Sequence, residues 1–342
     1  MASKKSTLPL PVVRENSDGM EFIGSGCTIL DAALGGGWAE RRISNILGES
    51  STGKTLLGIE AEANFKRKYP TGRIIHIDTE AAFDPDYAES LGLDTESVEL
   101  YDAFATVEEI GALFEGIFSE RSASDSNEPC LIVLDSVDAL TCEAEQSRSM
   151  TDGTFGTEKP KLLSQLFRRY VRLLSSCNVT LMIMSQVRAN LNAGPFGKQT
   201  VTSGGKALKF YCSQQVELQH QKQIKRTRGS VERVVGNLVQ AQTLKNRCGP
   251  SFRKVKFPLV FSYGIDDVAA SLNFLVEAGR GKLAGLDKDT QAAAGLLVKK
   301  INALDGAEYA EHVAKVNEAA VAAWREIEGD FAPTRKKYGE EA

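Results

Sequence analysis

Residues 48–55 read Gly48-Glu49-Ser50-Ser51-Thr52-Gly53-Lys54-Thr55, which is a complete G-x-x-x-x-G-K-[ST] loop. The loop follows the apolar run 43–47, which is typical of a buried strand, and precedes residues 55–66, which read as a helix. Backbone N–H groups of such a loop converge on phosphate oxygens, and the helix N-terminus adds positive potential. We therefore expect the chain to bind a nucleoside triphosphate, with Lys54 on the phosphates and the Thr55 hydroxyl on Mg²⁺.

The composition is that of a globular chain. Its 342 residues are 42% hydrophobic and 25% charged, which is enough for one large core with a smaller appended domain. The sequence contains no run of about 18 apolar residues, and its first residues lack the apolar core of a signal peptide. We expect no membrane partner and a cytoplasmic location, either in a bacterium or in a phage-infected host.

The cysteines and histidines do not suggest a metal site. The six cysteines show no C-x-x-C spacing, which favours buried free thiols over a zinc site or disulfides. The three histidines show no ligand-like spacing either. His76 lies in the strand-like run 74–77 and is predicted to be a packed core histidine.

The charge is unevenly distributed. A net charge of −4 argues against a protein that coats nucleic acid non-specifically. Residues 222–256, however, hold Glu232 as their single acid among many basic residues. This segment is either a solvated surface or a surface for a negatively charged partner. Its basic residues are Lys222, Lys225, Arg226, Arg228, Arg233, Lys245, Arg247, Arg253, Lys254 and Lys256.

Strand-like and helical segments alternate along most of the chain, which predicts βαβ units, a mostly parallel sheet and helices on both of its faces. The predicted strands are 43–47, 73–78, 98–101, 131–135 and 179–185, and the predicted helices are 55–66, 85–91, 107–119 and 160–176. Helical periods are predicted to stop after Lys206, where three more strands at 215–219, 233–244 and 255–262 would extend the sheet antiparallel. We divide the chain into an N-terminal arm (1–23), a core that carries the phosphate loop (24–266) and a C-terminal helical domain (267–342).

Two acids follow predicted strands. Asp135 ends the apolar strand 131–135, and the carboxyl end of a parallel strand lies beside the phosphate loop, where a carboxylate can hold Mg²⁺ through water. Glu80 follows the strand 73–78 and is placed to orient and deprotonate a water molecule that attacks the γ-phosphate.

Five stretches, in order, resemble the RecA family. They are 25–37, 48–55, 77–87, 131–140 and 203–211, and the resemblance spans about 24–265. It implies an α/β RecA-like P-loop ATPase core with ATP and Mg²⁺ as cofactors, and a role in polymerisation for the arm 1–23. The likeness weakens at both ends of the chain, and this divergence is similar to that of RecA/UvsX-type recombinases from bacteriophages or of divergent bacterial members.

The resemblance also implies roles for single residues. Glu80 matches the catalytic glutamate, Tyr87 the aromatic residue that stacks on adenine, and Asp135 the aspartate linked to Mg²⁺. Gln186 matches the sensor of the γ-phosphate. Lys245 and Arg247 match a basic pair that reaches the γ-phosphate bound by a neighbouring subunit, which implies a helical homo-oligomer.

Two loops of the family pattern contact DNA. The second loop, 187–203, and the residues after it supply Arg188, Asn190, Phe196, Lys198, Gly204, Gly205 and Lys206 as candidates. The first loop lies at about 143–158, where the sequence departs from the bacterial pattern, and its candidates are Arg148, Met150 and Phe155.

The resemblance predicts a DNA-dependent ATPase that forms nucleoprotein filaments on single-stranded DNA. Such filaments pair homologous duplex DNA and exchange strands in recombination and repair, with a single-strand-binding protein and a loader as further candidate partners. One alternative is a ring-forming motor of the helicase or RadA type, which calls for an N-terminal zinc-ribbon or helicase-binding domain. Another is a non-catalytic recombination mediator, which predicts loss of Glu80 or of the pair Lys245 and Arg247.

Overall fold

A twisted sheet forms the centre of the protein. The computed structural model describes residues 19–124, 128–147, 158–189, 200–202 and 205–333. The strands are Phe22–Ile23 (β1), Trp38–Ala39 (β2), Ile43–Gly48 (β3), Arg73–Asp78 (β4), Val98–Tyr101 (β5), Cys130–Asp135 (β6), Val179–Ala189 (β7), Thr200–Thr202 (β8), Gln214–Arg228 (β9), Val231–Asn246 (β10), Lys254–Val260 (β11) and Gly264–Ile265 (β12).

Helices connect and cover these strands. They are Thr28–Leu34 (α1), Lys54–Lys68 (α2), Pro85–Ser90 (α3), Val107–Ala123 (α4), Glu143–Gln146 (α5), Glu158–Tyr170 (α6), Leu173–Ser176 (α7), Gly205–Tyr211 (α8), Asp267–Glu277 (α9), Gln291–Ile301 (α10) and Gly306–Asp330 (α11). Local sequence fixes several of their starts. The Thr106 side chain accepts the N–H of Glu109 while the Glu109 carboxylate accepts that of Thr106, so α4 begins with a capping box.

The order of the strands confirms the predicted α/β class. Across the main sheet the order is β12-β11-β10-β9-β3-β7-β6-β4-β5, and β8 pairs with β7. The pairings β9–β3, β3–β7, β7–β6, β6–β4 and β4–β5 are parallel. The pairings β9–β10, β10–β11, β11–β12 and β7–β8 are antiparallel. The carboxyl ends of β3, β4, β6 and β7 therefore meet at one edge of the sheet, which we call the carboxyl edge. The opposite edge is the amino edge.

Two hydrophobic layers cover the two faces of the sheet. Successive strand residues alternate between them, so Ile74 packs in one layer and Ile75 in the other. The first layer joins the sheet to α1, α2 and the C-terminal helices α9, α10 and α11, and the second joins it to α4, α6, α7 and α8. The helical C-terminal region therefore packs on the sheet through a shared hydrophobic cluster.

Three details of the predicted pattern are wrong. First, β9 pairs with β3 in parallel, because the chain between β7 and β9 crosses over through α8 and returns to the same end of the sheet. Second, α8 itself lies where helical periods were predicted to stop, and its seven residues are too few for a clear period. Third, the predicted helix 160–176 is divided into α6 and α7.

The remaining whole-chain expectations concern the arm, the thiols and the membrane. Residues 1–18 of the predicted arm lie outside the described residues, and the proposed domain boundaries stay predictions. All six cysteines are free and described, and each is buried except Cys248, which is partly exposed. In the described part of the chain, no helix has the length and apolar character needed to cross a membrane.

Candidate active site

The phosphate loop connects β3 directly to α2. Ser51 and Gly53 have positive φ values of 61° and 92°, so the backbone turns sharply before the helix begins. A Cβ atom on Gly53 would lie 2.4 Å from Cδ1 of Leu259, so the end of that flexible side chain would have to shift. Glycine is favoured at position 53 mainly by its left-handed backbone conformation, which L side chains rarely adopt.

Lys54 holds the inside of this loop. Its side chain is buried, and Nζ donates hydrogen bonds to the carbonyl oxygens of Gly48 at 3.1 Å and Glu49 at 2.8 Å. Burial lowers the pKa of Lys54, while the nearby carboxylates of Asp135, Glu80 and Asp138 oppose this shift. The ammonium group is thus fixed inside the loop that the sequence assigns to phosphate.

Thr55 and Asp135 lie together, as the sequence predicted. The Thr55 hydroxyl donates a short hydrogen bond to Oδ2 of Asp135, which is buried at the end of β6. Burial raises the pKa of Asp135, and the hydrogen bond from Thr55 opposes that rise. A hydroxyl and a carboxylate are oxygen ligands of the kind that Mg²⁺ prefers. The described residues contain no cluster of three or more His, Cys, Asp or Glu side chains suited to a metal. An ion held by Thr55 and Asp135 would keep phosphate and water ligands.

Glu80 lies on a loop that Asp78 folds. The Asp78 carboxylate accepts backbone N–H groups from Glu80 at 3.0 Å, Ala82 at 2.7 Å and Phe83 at 2.7 Å. This arrangement places the exposed Glu80 carboxylate at the carboxyl edge, because Asp78 pairs with Asp135 across β4 and β6.

Gln186 completes the group of side chains at this edge. It pairs with Gly48 across β3 and β7, so the predicted sensor is a direct neighbour of the first residue of the phosphate loop. Its Nε2 donates to Oε1 of Glu80 at 3.0 Å. The structure therefore brings together the phosphate loop, the proposed magnesium ligands, the proposed base and the proposed sensor.

Lys245 and Arg247 lie at the amino edge instead. Lys245 pairs with Gln215, which pairs with Asn45 of β3, and the N–H of Arg247 donates to the carbonyl of Ser213 at 3.0 Å. Asn45 precedes Gly48 by three residues, or roughly 10 Å of strand. The structure therefore does not join this basic pair to the phosphate loop of the same subunit.

Lys245 also has a contact that sequence reasoning missed. Its Nζ donates to the carbonyl oxygens of Lys209 at 2.8 Å and Phe210 at 2.9 Å, near the C-terminus of α8. A cation at that position satisfies carbonyl groups that the helix leaves unpaired. Arg247, by contrast, is exposed.

Comparisons with known proteins identify the family of the chain. The family model of the RecA N-terminal domain matches residues 3–266. The chain belongs to the RecA family. The RecA protein of Borrelia hermsii (strain HS1 / DAH) is 33% identical over 300 residues, which cover 85% of this chain and 81% of the relative. Borreliella afzelii (strain PKo) RecA is 35% identical over 260 residues (76% and 68% of the two chains), and that of Nocardioides sp. (strain ATCC BAA-499 / JS614) is 34% identical over 269 residues (78% and 72%).

RecA membership confirms the predicted family, the RecA-like core and the class of protein, which is a recombinase of DNA recombination and repair. The proposed DNA contacts stay predictions. Arg188 lies in β7 and its backbone pairs with Val201 of β8, while Gly205 and Lys206 begin α8. The other candidates lie outside the described residues: Arg148, Met150, Phe155, Asn190, Phe196, Lys198 and Gly204.

His76 is packed in the RecA core, as predicted, but it has a charged partner that the sequence did not reveal. Its Nδ1 lies 2.8 Å from Oε1 of Glu62, and both side chains are buried. Burial lowers the pKa of His76, but the attraction and hydrogen bond of Glu62 outweigh it and the pKa is raised overall. This pair joins α2, the helix of the phosphate loop, to β4.

Aromatic side chains flank the nucleotide region. Tyr87, the proposed adenine contact, is partly buried in α3, the helix that follows the Glu80 loop, and Asp84 accepts its backbone N–H at 3.1 Å. Phe261 is 56% exposed and follows β11, the strand whose Leu259 lies against Gly53. Sequence reasoning did not consider Phe261, which follows Leu259 by two residues.

Proposed function

We propose that this RecA-family recombinase is a DNA-dependent ATPase that forms helical filaments on single-stranded DNA. Such filaments would pair a homologous duplex and exchange its strands. The observation that carries the proposal is the hydrogen bond between Gln186 and Glu80 at the carboxyl edge, beside the phosphate loop. It supports a role for Glu80 as the base and for the Gln186 amide as the sensor of a phosphate held by residues 48–55.

Each residue of the site has a proposed task. Residues 48–55 hold the triphosphate of ATP, and Lys54 contributes its positive charge. Thr55 and Asp135 would hold Mg²⁺, which when bound neutralises charge on the phosphate oxygens. Glu80 accepts a proton from the attacking water, and the Gln186 amide reports whether the γ-phosphate is present.

Lys245 and Arg247 are proposed to act on a neighbouring subunit. They lie at the amino edge, whereas their own phosphate loop lies at the carboxyl edge. Stacking the amino edge of one subunit on the carboxyl edge of the next would bring the pair to a γ-phosphate, where positive charge stabilises the transition state. A head-to-tail contact that does not close produces a helical filament.

Base and DNA contacts complete the proposal. Tyr87 and the exposed ring of Phe261 are proposed to contact the adenine, since aromatic rings stack on bases without a strong sequence preference. Single-stranded and duplex DNA are proposed to bind through the two loops at 143–158 and 187–203 and the adjoining Gly204, Gly205 and Lys206.

Electron microscopy tests the assembly. The protein would be mixed with single-stranded DNA and a non-hydrolysable ATP analogue, and compared with samples lacking either one. We expect helical filaments only when both are present. Closed rings or single particles would contradict the proposal, and the samples that lack DNA or the analogue serve as controls.

A further inference from the structure

Four residues at the carboxyl edge form a closed ring of hydrogen bonds. The Ser136 hydroxyl and the Gln186 amide both donate to Oε1 of Glu80. The backbone N–H of Asp138 donates to Oγ of Ser136 at 3.3 Å, and the backbone N–H of Gln186 donates to Oδ2 of Asp138 at 2.6 Å. The ring therefore links the ends of β4, β6 and β7.

The Asp138 carboxylate accepts the main-chain N–H of Gln186 at 2.6 Å. That N–H is the last before residues 187–203, the proposed second DNA loop. A hydrogen bond to a charged acceptor is stronger than one between neutral groups, so the carboxylate fixes the backbone from which the sensor side chain extends. Its other oxygen, Oδ1, is buried and has no hydrogen-bond partner among the described residues.

Ser136 holds the other side of the ring. Ser136 is fully buried. Thr79, the residue after β4, holds its backbone, because the Thr79 hydroxyl donates to the Ser136 carbonyl at 2.6 Å and accepts the Ser136 N–H at 3.0 Å. Its hydroxyl therefore points at Glu80 from a rigid position. Glu80 itself is exposed, and the hydrogen bonds from the Ser136 hydroxyl and the Gln186 amide hold its carboxylate in place.

We propose that Asp138 and Ser136 are positioning residues that couple the proposed base to the proposed DNA loop. This inference rests on the proposed function of Glu80 and Gln186. When the Gln186 amide donates to a γ-phosphate and no longer to Glu80, the Ser136 hydroxyl still holds the Glu80 carboxylate in place. Asp138 holds the main chain at Gln186, so that the sensor side chain and the start of the loop that follows keep a fixed geometry relative to Glu80.

Three variants separate hydrogen bonding from charge and from stability. Asp138→Ala removes the acceptor for the Gln186 N–H, whereas Asp138→Asn removes the charge but keeps an acceptor oxygen. Ser136→Ala removes only the hydroxyl on the other side of the ring. Asp287→Ala, at an exposed aspartate of the C-terminal region, is the matched control. Each variant is compared with the wild type for kcat and KM of ATP hydrolysis with single-stranded DNA, and for DNA affinity with ATP analogue or ADP.

We expect Asp138→Ala to lower kcat by about 10-fold or more with KM changed less than about 2-fold, because a misplaced base slows chemistry more than binding. The ratio of DNA affinities in the two nucleotides should fall by about 5-fold or more. Asp138→Asn should restore most of both quantities, and Ser136→Ala should lower kcat in the same way.

Two results would overturn the inference. One is a folded Asp138→Ala protein with wild-type kcat and affinity ratio. The other is an Asp138→Asn protein as defective as Asp138→Ala. If Asp138→Ala fails to fold, an unchanged kcat in Ser136→Ala overturns it instead. A wild type without DNA-stimulated hydrolysis would refute the proposed function itself, which is a separate outcome.

Discussion

At the scale of single residues, the position of Glu80 makes its proposed role testable without disturbing the site. One of its oxygens already accepts hydrogen bonds from Ser136 and Gln186. The amide oxygen of a glutamine can accept the same bonds, but the amide cannot take a proton from water. Glu80→Gln should therefore keep ATP and DNA binding and lower turnover by about 10²-fold or more.

Turnover and nucleotide affinity would be measured on the same preparation. Wild-type turnover in Glu80→Gln would remove Glu80 from the role of base. Loss of nucleotide affinity together with turnover would instead make the residue part of the binding site.

A second residue-scale prediction concerns Asp31, which is remote from the chemistry. Burial raises the pKa of Asp31 to about 8, although the Ser25 N–H donates to its Oδ1 at 2.9 Å. In the unfolded chain an aspartate titrates near pH 4. Between about pH 4 and 8 the folded state holds the proton more tightly, so stability falls as pH rises through this window, and the loss is complete above about pH 8.

Asp31→Asn removes this titration. We expect the variant to exceed the wild type in free energy of unfolding by about 1–3 kcal/mol at pH 9, with a much smaller difference at pH 5. Urea unfolding at the two pH values measures this difference. Asp287→Asn, which changes an exposed residue and keeps Asp31, should have the same free energy of unfolding as the wild type at both pH values. An equal difference at pH 5 and pH 9 would contradict a titrating Asp31.

At the scale of elements, the strand–loop–helix unit of β3 and α2 depends on Gly53. Gly53→Ala would force an alanine into an unfavourable left-handed conformation, and its Cβ would displace the end of the Leu259 side chain. We expect ATP affinity to fall by about 10-fold or more. Gly295→Ala is the matched control, because its Cβ in α10 meets nothing within 4 Å and alanine favours helix.

Fluorescence titration with a labelled ATP analogue measures both glycine variants. Gly295→Ala should bind as the wild type does. Unchanged binding by Gly53→Ala would show that the loop tolerates a side chain at this position.

Elements with strong local signals could be predicted from the sequence. The strand Arg73–Asp78 was predicted with the observed bounds, because three isoleucines among its six residues mark a strand that is buried on both faces. The strand β9, at 15 residues, is much longer than the predicted 215–219, whereas β10 extends only slightly beyond the predicted 233–244. The outer part of β9 is exposed and polar, so no alternation of apolar residues marks it.

The parts of the candidate site that belong to a sequence motif or a strand end could be predicted. The parts that depend on contacts between distant residues could not. Spacing identified residues 48–55, and strand ends identified Glu80 and Asp135. Asp138 was not predicted, because the contact that supports its proposed positioning role is with Gln186 of β7, which is distant in sequence. The edge of the sheet that holds Lys245 likewise depends on strand order, which a single sequence does not specify.

At the scale of the whole molecule, the sheet gives each subunit two unlike ends. The phosphate loop, Glu80 and Gln186 occupy the carboxyl edge, and Lys245 and Arg247 occupy the amino edge. One proposed active site therefore needs two subunits. Lys245 also caps α8 in its own subunit, so Arg247, which is exposed, is the better residue for testing a contact between subunits.

The most direct test mixes two inactive proteins. Lys54→Ala lacks a working phosphate site but keeps Arg247, and Arg247→Ala lacks the basic side chain but keeps the phosphate site. Each alone should show little DNA-stimulated ATP hydrolysis, because every site in its filaments is defective. Mixed on single-stranded DNA, they should recover part of the wild-type rate, since some interfaces combine an intact loop with an intact Arg247. No recovery in filaments shown to contain both proteins would contradict an active site shared between subunits.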